Sequence, residues 1–203
     1  MLDKIYVFDD IIDLDYQNKI KKKLLGEEKF PWYYIEDVSS SDSGNQKRGG
    51  FTHGYVNEDG VESDYHYLFL DLIKKSCSQI EVKEVNAILG RSFLQLPSNI
   101  NKQDVDTPHT DIPVDHFVML YYVCDSDGDT IIYNEKCSNL NEFNNNLSVV
   151  EKTRFSIQRK ISPKQGRVVL FNGRLYHTAE QPNHNKRCIV NYDLRDLSVD
   201  SHI

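Results

Sequence analysis

Pro163-Lys164-Gln165-Gly166-Arg167-Val168-Val169-Leu170-Phe171 is followed, after the turn Asn172-Gly173, by Leu175-Tyr176-His177-Thr178 and then by Arg187-Cys188-Ile189-Val190-Asn191-Tyr192-Asp193. Apolar segments this short, rich in β-branched and aromatic residues and separated by Gly, Pro and Asn, read as strands rather than helices. Working back toward the N-terminus, the same pattern holds from Val82 onward. The expected strands are Glu81–Leu96, Val105–Asp111, His116–Cys124, Thr130–Asn134, Thr153–Ser162, Arg167–Phe171 and Arg187–Leu194, with Leu175–Thr178 as a short extra one. The first third differs. Ile5-Tyr6-Val7-Phe8 reads as a strand, Asp13 can cap a helix that carries Tyr16, Ile20 and Leu24 up to Gly26, and Ser63 or Asp64 can cap a second that carries Leu68, Leu72, Ile73 and Ile80. Helices followed by many antiparallel-looking strands predict a mainly β protein with flanking α-helices, a sandwich or jelly roll. Residues 1–80 are expected to buttress a barrel formed by 81–203, the whole being one structural domain.

Composition narrows the function classes. The chain has 203 residues, 39% hydrophobic and 27% charged, which is too apolar for a disordered chain and too polar for a membrane protein. Its net charge of −7 opposes sequence-independent binding to nucleic acid. Cys77, Cys124, Cys137 and Cys188 show neither metal-knuckle nor disulfide-framework spacing, so reduced, buried thiols are expected. No signal-peptide pattern opens the chain and no apolar run has membrane-spanning length, which predicts a cytoplasmic protein with no membrane partner.

His109-Thr110-Asp111 places two potential metal ligands on one face of an extended segment. His177, after the apolar strand Arg167–Phe171, is the candidate third; His184, in the turn Pro182-Asn183-His184-Asn185-Lys186, is the weaker alternative. Two imidazoles and a carboxylate leave the opposite face of an ion open, the arrangement a non-haem Fe(II) oxygenase needs for a bidentate cosubstrate and then dioxygen. Strand alternation puts Arg187, Ile189 and Asn191 on one face, and a guanidinium in an apolar barrel suits the far carboxylate of a dicarboxylate such as 2-oxoglutarate. Asn191 and Tyr122 are further candidates beside that cosubstrate. Tyr121 and Tyr122 alternate faces, so one packs in the core while the other is free to line the pocket. Asn86, Arg91 and Gln95 face either the pocket or solvent, with ordinary strand polar positions the simpler account. Asp125–Asp129 reads as a tight turn rather than a calcium loop. Ser39–Gly50 is either solvated or a lid whose Lys47 and Arg48, with Phe51 and His53, touch substrate. Asn139–Asn146 reads as an inserted loop.

From His109 to Asp193 the order of parts resembles the Fe(II)/2-oxoglutarate-dependent dioxygenases, especially their prolyl 4-hydroxylase-like branch. The His-x-Asp pair is His109-Thr110-Asp111, and the strand ending in a Tyr motif is Leu120-Tyr121-Tyr122-Val123. The Gly-Gly-x-Thr turn appears as Asp127-Gly128-Asp129-Thr130, the Pro-Lys-x-Gly-Arg turn as Pro163–Arg167, the distal His as His177 and the anchor as Arg187. The chain departs from that branch at Asp127, in using Arg rather than Lys as anchor, and in an insertion from Glu135 to Arg159. The resemblance implies a double-stranded β-helix of cupin-like jelly-roll type, with iron held by His109, Asp111 and His177. It implies 2-oxoglutarate and dioxygen as cosubstrates, and Arg187 gripping the 5-carboxylate. The implied activity is hydroxylation of an amino-acid side chain, prolyl among the options, in a peptide or protein. Hydroxylation of a small metabolite and a non-catalytic metal-binding module are the alternatives, and the sequence leaves the oligomeric state open.

Overall fold

The computed structural model describes residues 2–26, 29–38, 48–97, 105–144 and 153–198. Two antiparallel sheets face one another. The larger is ordered β1 (Tyr6–Phe8), β9 (Val168–Asn172), β6 (Phe117–Tyr122), β11 (Arg187–Asp196), β5 (Val85–Gln95), β3 (Gly50–Asn57) and β2 (Tyr33–Ile35), with β4 (Gly60–Val61) paired to β3. The smaller is ordered β10 (Leu175–Ala179), β7 (Thr130–Lys136) and β8 (Ile157–Ile161). Alternation along β6, β9 and β11 divides the apolar side chains between two cores. Val118, Leu120, Tyr122, Val169, Phe171 and Ile189 meet Ile132, Ile161 and Leu175 between the sheets. Met119, Tyr121, Leu170, Val190 and Tyr192 point the other way and pack with Ile20, Leu24, Phe69 and Leu72 of the helical layer.

Helix α1 (Leu14–Leu25) starts where expected: the Asp13 carboxylate accepts the Tyr16 backbone N–H at 2.8 Å, and Gly26 ends it with its N–H on the Lys22 carbonyl. The second helix is split into a 3-10 stretch, Asp64–Phe69, capped by Ser63, and α2 (Leu70–Ser78). The four cysteines are free and buried.

Several expectations need correction. Val105–Asp111 is no strand. Only two isolated bridges form, Val105 to Glu180 and His109 to His177, because Pro108 has no N–H to extend a ladder. Residues 1–80 do more than buttress, since β1 to β4 belong to the larger sheet itself. Strand β3 escaped the sequence reading because a register shift between Gly54 and Val56 buries Tyr55 and Val56 in succession and erases the period-2 signature. Within Asn139–Asn146, Leu140–Asn144 is a short helix, α3, whose first amides are held by the Asn139 side chain; 145 and 146 lie outside the described residues.

Candidate active site

The bridge that replaces the expected strand brings the two imidazoles together. The His109 N–H donates to the His177 carbonyl at 3.0 Å, and the His177 N–H returns a bond to the His109 carbonyl at 2.9 Å. Opposed residues project to the same side, and the ring centroids stand 4.7 Å apart. Each Nδ1 lies on the carbonyl two residues earlier, Thr107 at 3.0 Å for His109 and Leu175 at 3.1 Å for His177. A carbonyl only accepts, so each Nδ1 carries the hydrogen and each Nε2 keeps its lone pair. The desolvating cavity wall, with the His177 ring adding to it, pushes the His109 pKa down to about 4, so the ring is neutral at neutral pH.

Asp111, 3% exposed, completes the group: Oδ2 lies 3.4 Å from His177 Nε2 and Oδ1 lies 4.0 Å from His109 Nε2. Burial alone would raise its pKa, but the Arg91 guanidinium, 2.6 Å from Oδ1, holds it below the usual carboxylate range. One ligand atom from each of the three side chains lies within 4.8 Å of the others. Donors about 2.1 Å from a divalent first-row ion stand roughly 3 Å apart, so small rotations close such a site. Two lone-pair nitrogens and an ionised carboxylate on one side of a cavity fit such an ion. Among the described residues this is the one such group of His, Cys, Asp and Glu. Asp193, fully buried nearby on β11, has its pKa raised well above the usual carboxylate value by burial and by the Asp111 charge. His184 sits exposed in its turn, where the Asp127 carboxylate accepts the amides of Asn183, His184 and Asn185. That capping duty accounts for an acid at the position where the resemblance led us to expect glycine.

Arg187, 3% exposed, lies in the same cavity. Its Nε donates to the Gly128 carbonyl at 3.1 Å, one terminal nitrogen to Gln95 Oε1 at 2.9 Å and the other to Thr130 Oγ1 at 2.8 Å. All three acceptors are neutral. Among the described residues no carboxylate forms an ion pair with this guanidinium; Asp106, in the same cavity wall, is taken by Arg48 at 2.7 Å and by Gln181. Burial lowers the Arg187 pKa, yet a guanidinium stays cationic at neutral pH. A buried cation with neutral partners favours an incoming anion strongly.

The cavity, about 480 Å³, contains His109, Asp111, His177, Arg187 and Asn191, with Phe93, Phe143 and Ile189 among its apolar lining. Asn191 donates to Asp111 Oδ2 at 3.3 Å. Tyr122 is buried under the guanidinium, its ring centroid 6.0 Å away, and its hydroxyl donates to Thr130 Oγ1 at 2.7 Å. Tyr121 points into the helical core. Arg91 and Gln95 line the cavity, whereas exposed Asn86 lies in a separate groove beside α2, so two of those three polar positions are not ordinary surface ones. Of the suggested lid, 39–47 lie outside the described residues. His53 is a core residue held by the Pro31 carbonyl and Ser63 Oγ, away from the cavity. Sequence reasoning missed Thr130 as a partner of Arg187, although its motif was recognised, and missed Phe143, which the insertion brings into the cavity wall.

By sequence the chain matches no family model and no curated protein. By structure it is similar to a 2OG-Fe(II) oxygenase family oxidoreductase from Burkholderia pseudomallei, at TM-score 0.66 and 11% identity over 95% of this chain and 85% of that one. A prolyl hydroxylase from Trichoplax adhaerens, solved with a hypoxia inducible factor peptide fragment, aligns at TM-score 0.61 and 13% identity over 98% and 87% of the chains. HygX from Streptomyces hygroscopicus, solved with nickel, 2-oxoglutarate and hygromycin B, aligns at TM-score 0.57 and 12% identity over 95% and 83%. At these identities the likeness is one of fold.

Proposed function

We propose that this chain, which has the fold of the 2-oxoglutarate/Fe(II) oxygenases, is itself a 2-oxoglutarate-dependent non-haem iron hydroxylase acting on an amino-acid side chain in a peptide or protein. The observation that carries the reading is a metal-type His, Asp, His group sharing one cavity with a buried guanidinium that has no carboxylate ion-pair partner among the described residues. Iron held there would activate dioxygen with 2-oxoglutarate as reductant, yielding succinate, carbon dioxide and hydroxylated substrate. The chain's own part is orientation and exclusion of water. His109 and His177 present Nε2 because backbone carbonyls fix their tautomers. Arg187 receives the 5-carboxylate, its direction set by Gly128, Gln95 and Thr130, with Tyr122 supporting Thr130 from below. Phe93 and Ile189 keep the wall between the two ends dry.

A peptide substrate is favoured by β2, which among the described residues ends the larger sheet with Tyr33 and Tyr34 each 63% exposed, and whose Ile35 lines the cavity. Such an edge offers main-chain hydrogen bonds to an extended chain. A small metabolite is the second reading, favoured by a cavity of small-ligand size. Of the similar proteins, one was solved with a peptide and another with hygromycin B. The free, buried thiols suit a reducing compartment such as the cytoplasm. The test needs no substrate: the full chain with Fe(II), oxygen and 2-oxoglutarate should release succinate well above a His109→Ala control. Release equal to that control would overturn the enzymatic reading in favour of a binding module.

A further inference from the structure

The two oxygens of Asp111 have different hydrogen-bond donors, a charged and close one on Oδ1 and a neutral, longer one on Oδ2. Arg91 donates a terminal N–H to Oδ1 at 2.6 Å, while Oδ2 faces His177 Nε2 at 3.4 Å and Asn191 Nδ2 at 3.3 Å. Arg91 is placed by its strand and by a ring contact. Its backbone pairs with Asn191 across β5 and β11, its guanidinium lies 5.2 Å from the Phe93 ring centroid, and its side chain is only 30% exposed. A permanent cation so close to a metal-binding carboxylate repels the metal, so it needs a reason.

We infer that Arg91 is a positioning residue that occupies Asp111 Oδ1 and so leaves Oδ2 alone to bind the metal. The reason is coordination number. Of six positions around an octahedral ion, three protein ligands, a bidentate cosubstrate and dioxygen use all six. A carboxylate free to bind through both oxygens takes one of them and blocks the reaction. The inference rests on His109, Asp111 and His177 being the metal ligands.

The test uses the full chain with Co(II), whose visible absorption reports coordination number, together with calorimetric affinity and 2-oxoglutarate turnover under Fe(II). Arg91→Met should bind Co(II) at least as tightly as wild type, by up to tenfold, because repulsion is removed and a second oxygen is freed. Its Co(II) spectrum with 2-oxoglutarate should differ from wild type, and turnover should fall tenfold or more. Arg91→Lys restores a cationic donor group and should return both spectrum and turnover most of the way. Tenfold weaker Co(II) binding in Arg91→Met would mark a merely structural residue and overturn the inference, as would a spectrum and turnover like wild type. Wild-type protein that binds no Co(II), or binds it equally well after His177→Ala, would instead overturn the ligand assignment beneath it.

Discussion

Under the proposed function His177 holds the metal and Arg187 the 5-carboxylate, so their variants should fail differently. Arg187→Ala should raise the 2-oxoglutarate KM by about 10- to 100-fold, the loss of a charged hydrogen-bonding partner worth roughly 1.5–3 kcal/mol, with Co(II) affinity unchanged. His177→Ala should lose the metal. Calorimetric titration of both variants with each ligand checks the split; equal loss of metal in both would refute the roles. Thr130 is the residue through which Tyr122 and Arg187 communicate, since its Oγ1 accepts from both. Thr130→Val should raise the same KM and cost about 1–3 kcal/mol by leaving buried donors unpaired, read by urea unfolding.

Among the elements, strand β1 is held to β9 by three register pairs, and Asp9 just beyond it binds Arg167 Nε at 2.7 Å and Lys164 Nζ at 3.0 Å. The Arg167 hydrogen bond, opposed by partial burial, lowers the Asp9 pKa from 3.8 to about 2. A depressed folded-state pKa gives stability that is complete above the unfolded value and lost as pH falls through the folded one. Wild type should therefore exceed Asp9→Asn by about 0.5–1 kcal/mol at pH 7, the range of an exposed ion pair, and the gap should close between pH 4 and 2. A gap that persists at pH 2 would show that the pair contributes nothing through charge. The turn before β7 is equally constrained. A Cβ on Gly128 would stand 2.6 Å from the Glu180 carbonyl oxygen and 3.0 Å from Pro182 N, both backbone atoms. Gly128→Ala should cost about 1–3 kcal/mol and, by moving the carbonyl that Arg187 uses, raise the 2-oxoglutarate KM without affecting metal binding.

For the whole molecule, the larger sheet separates two cores with different duties. Leu72, fully buried in the helical layer, packs on the face away from the cavity. Leu72→Ala should lower stability by about 2–5 kcal/mol while Co(II) affinity in the folded protein stays at the wild-type value, as calorimetric melting and metal titration would establish. A matching fall in metal affinity would mean that the sheet transmits strain from one core to the other.

The sequence alone determined the strand-rich second half and the helix starts at Asp13 and Ser63, which are carried by local period and turn chemistry and need no knowledge of partners. The ordered set His109, Asp111, His177 and Arg187 was nominated by a resemblance in the order of motifs along the chain. Tertiary structure decided the rest. It enrolled β2 to β4 in the larger sheet, replaced the expected strand Val105–Asp111 by two isolated bridges, and turned Tyr122 inward and Tyr121 outward. It also set Arg91 on Asp111 and brought Phe143 into the cavity wall. Pairing register and the choice of face are fixed by contacts between residues far apart in the chain, and a polar side chain reads the same in a strand whether it meets water or another strand's carboxylate.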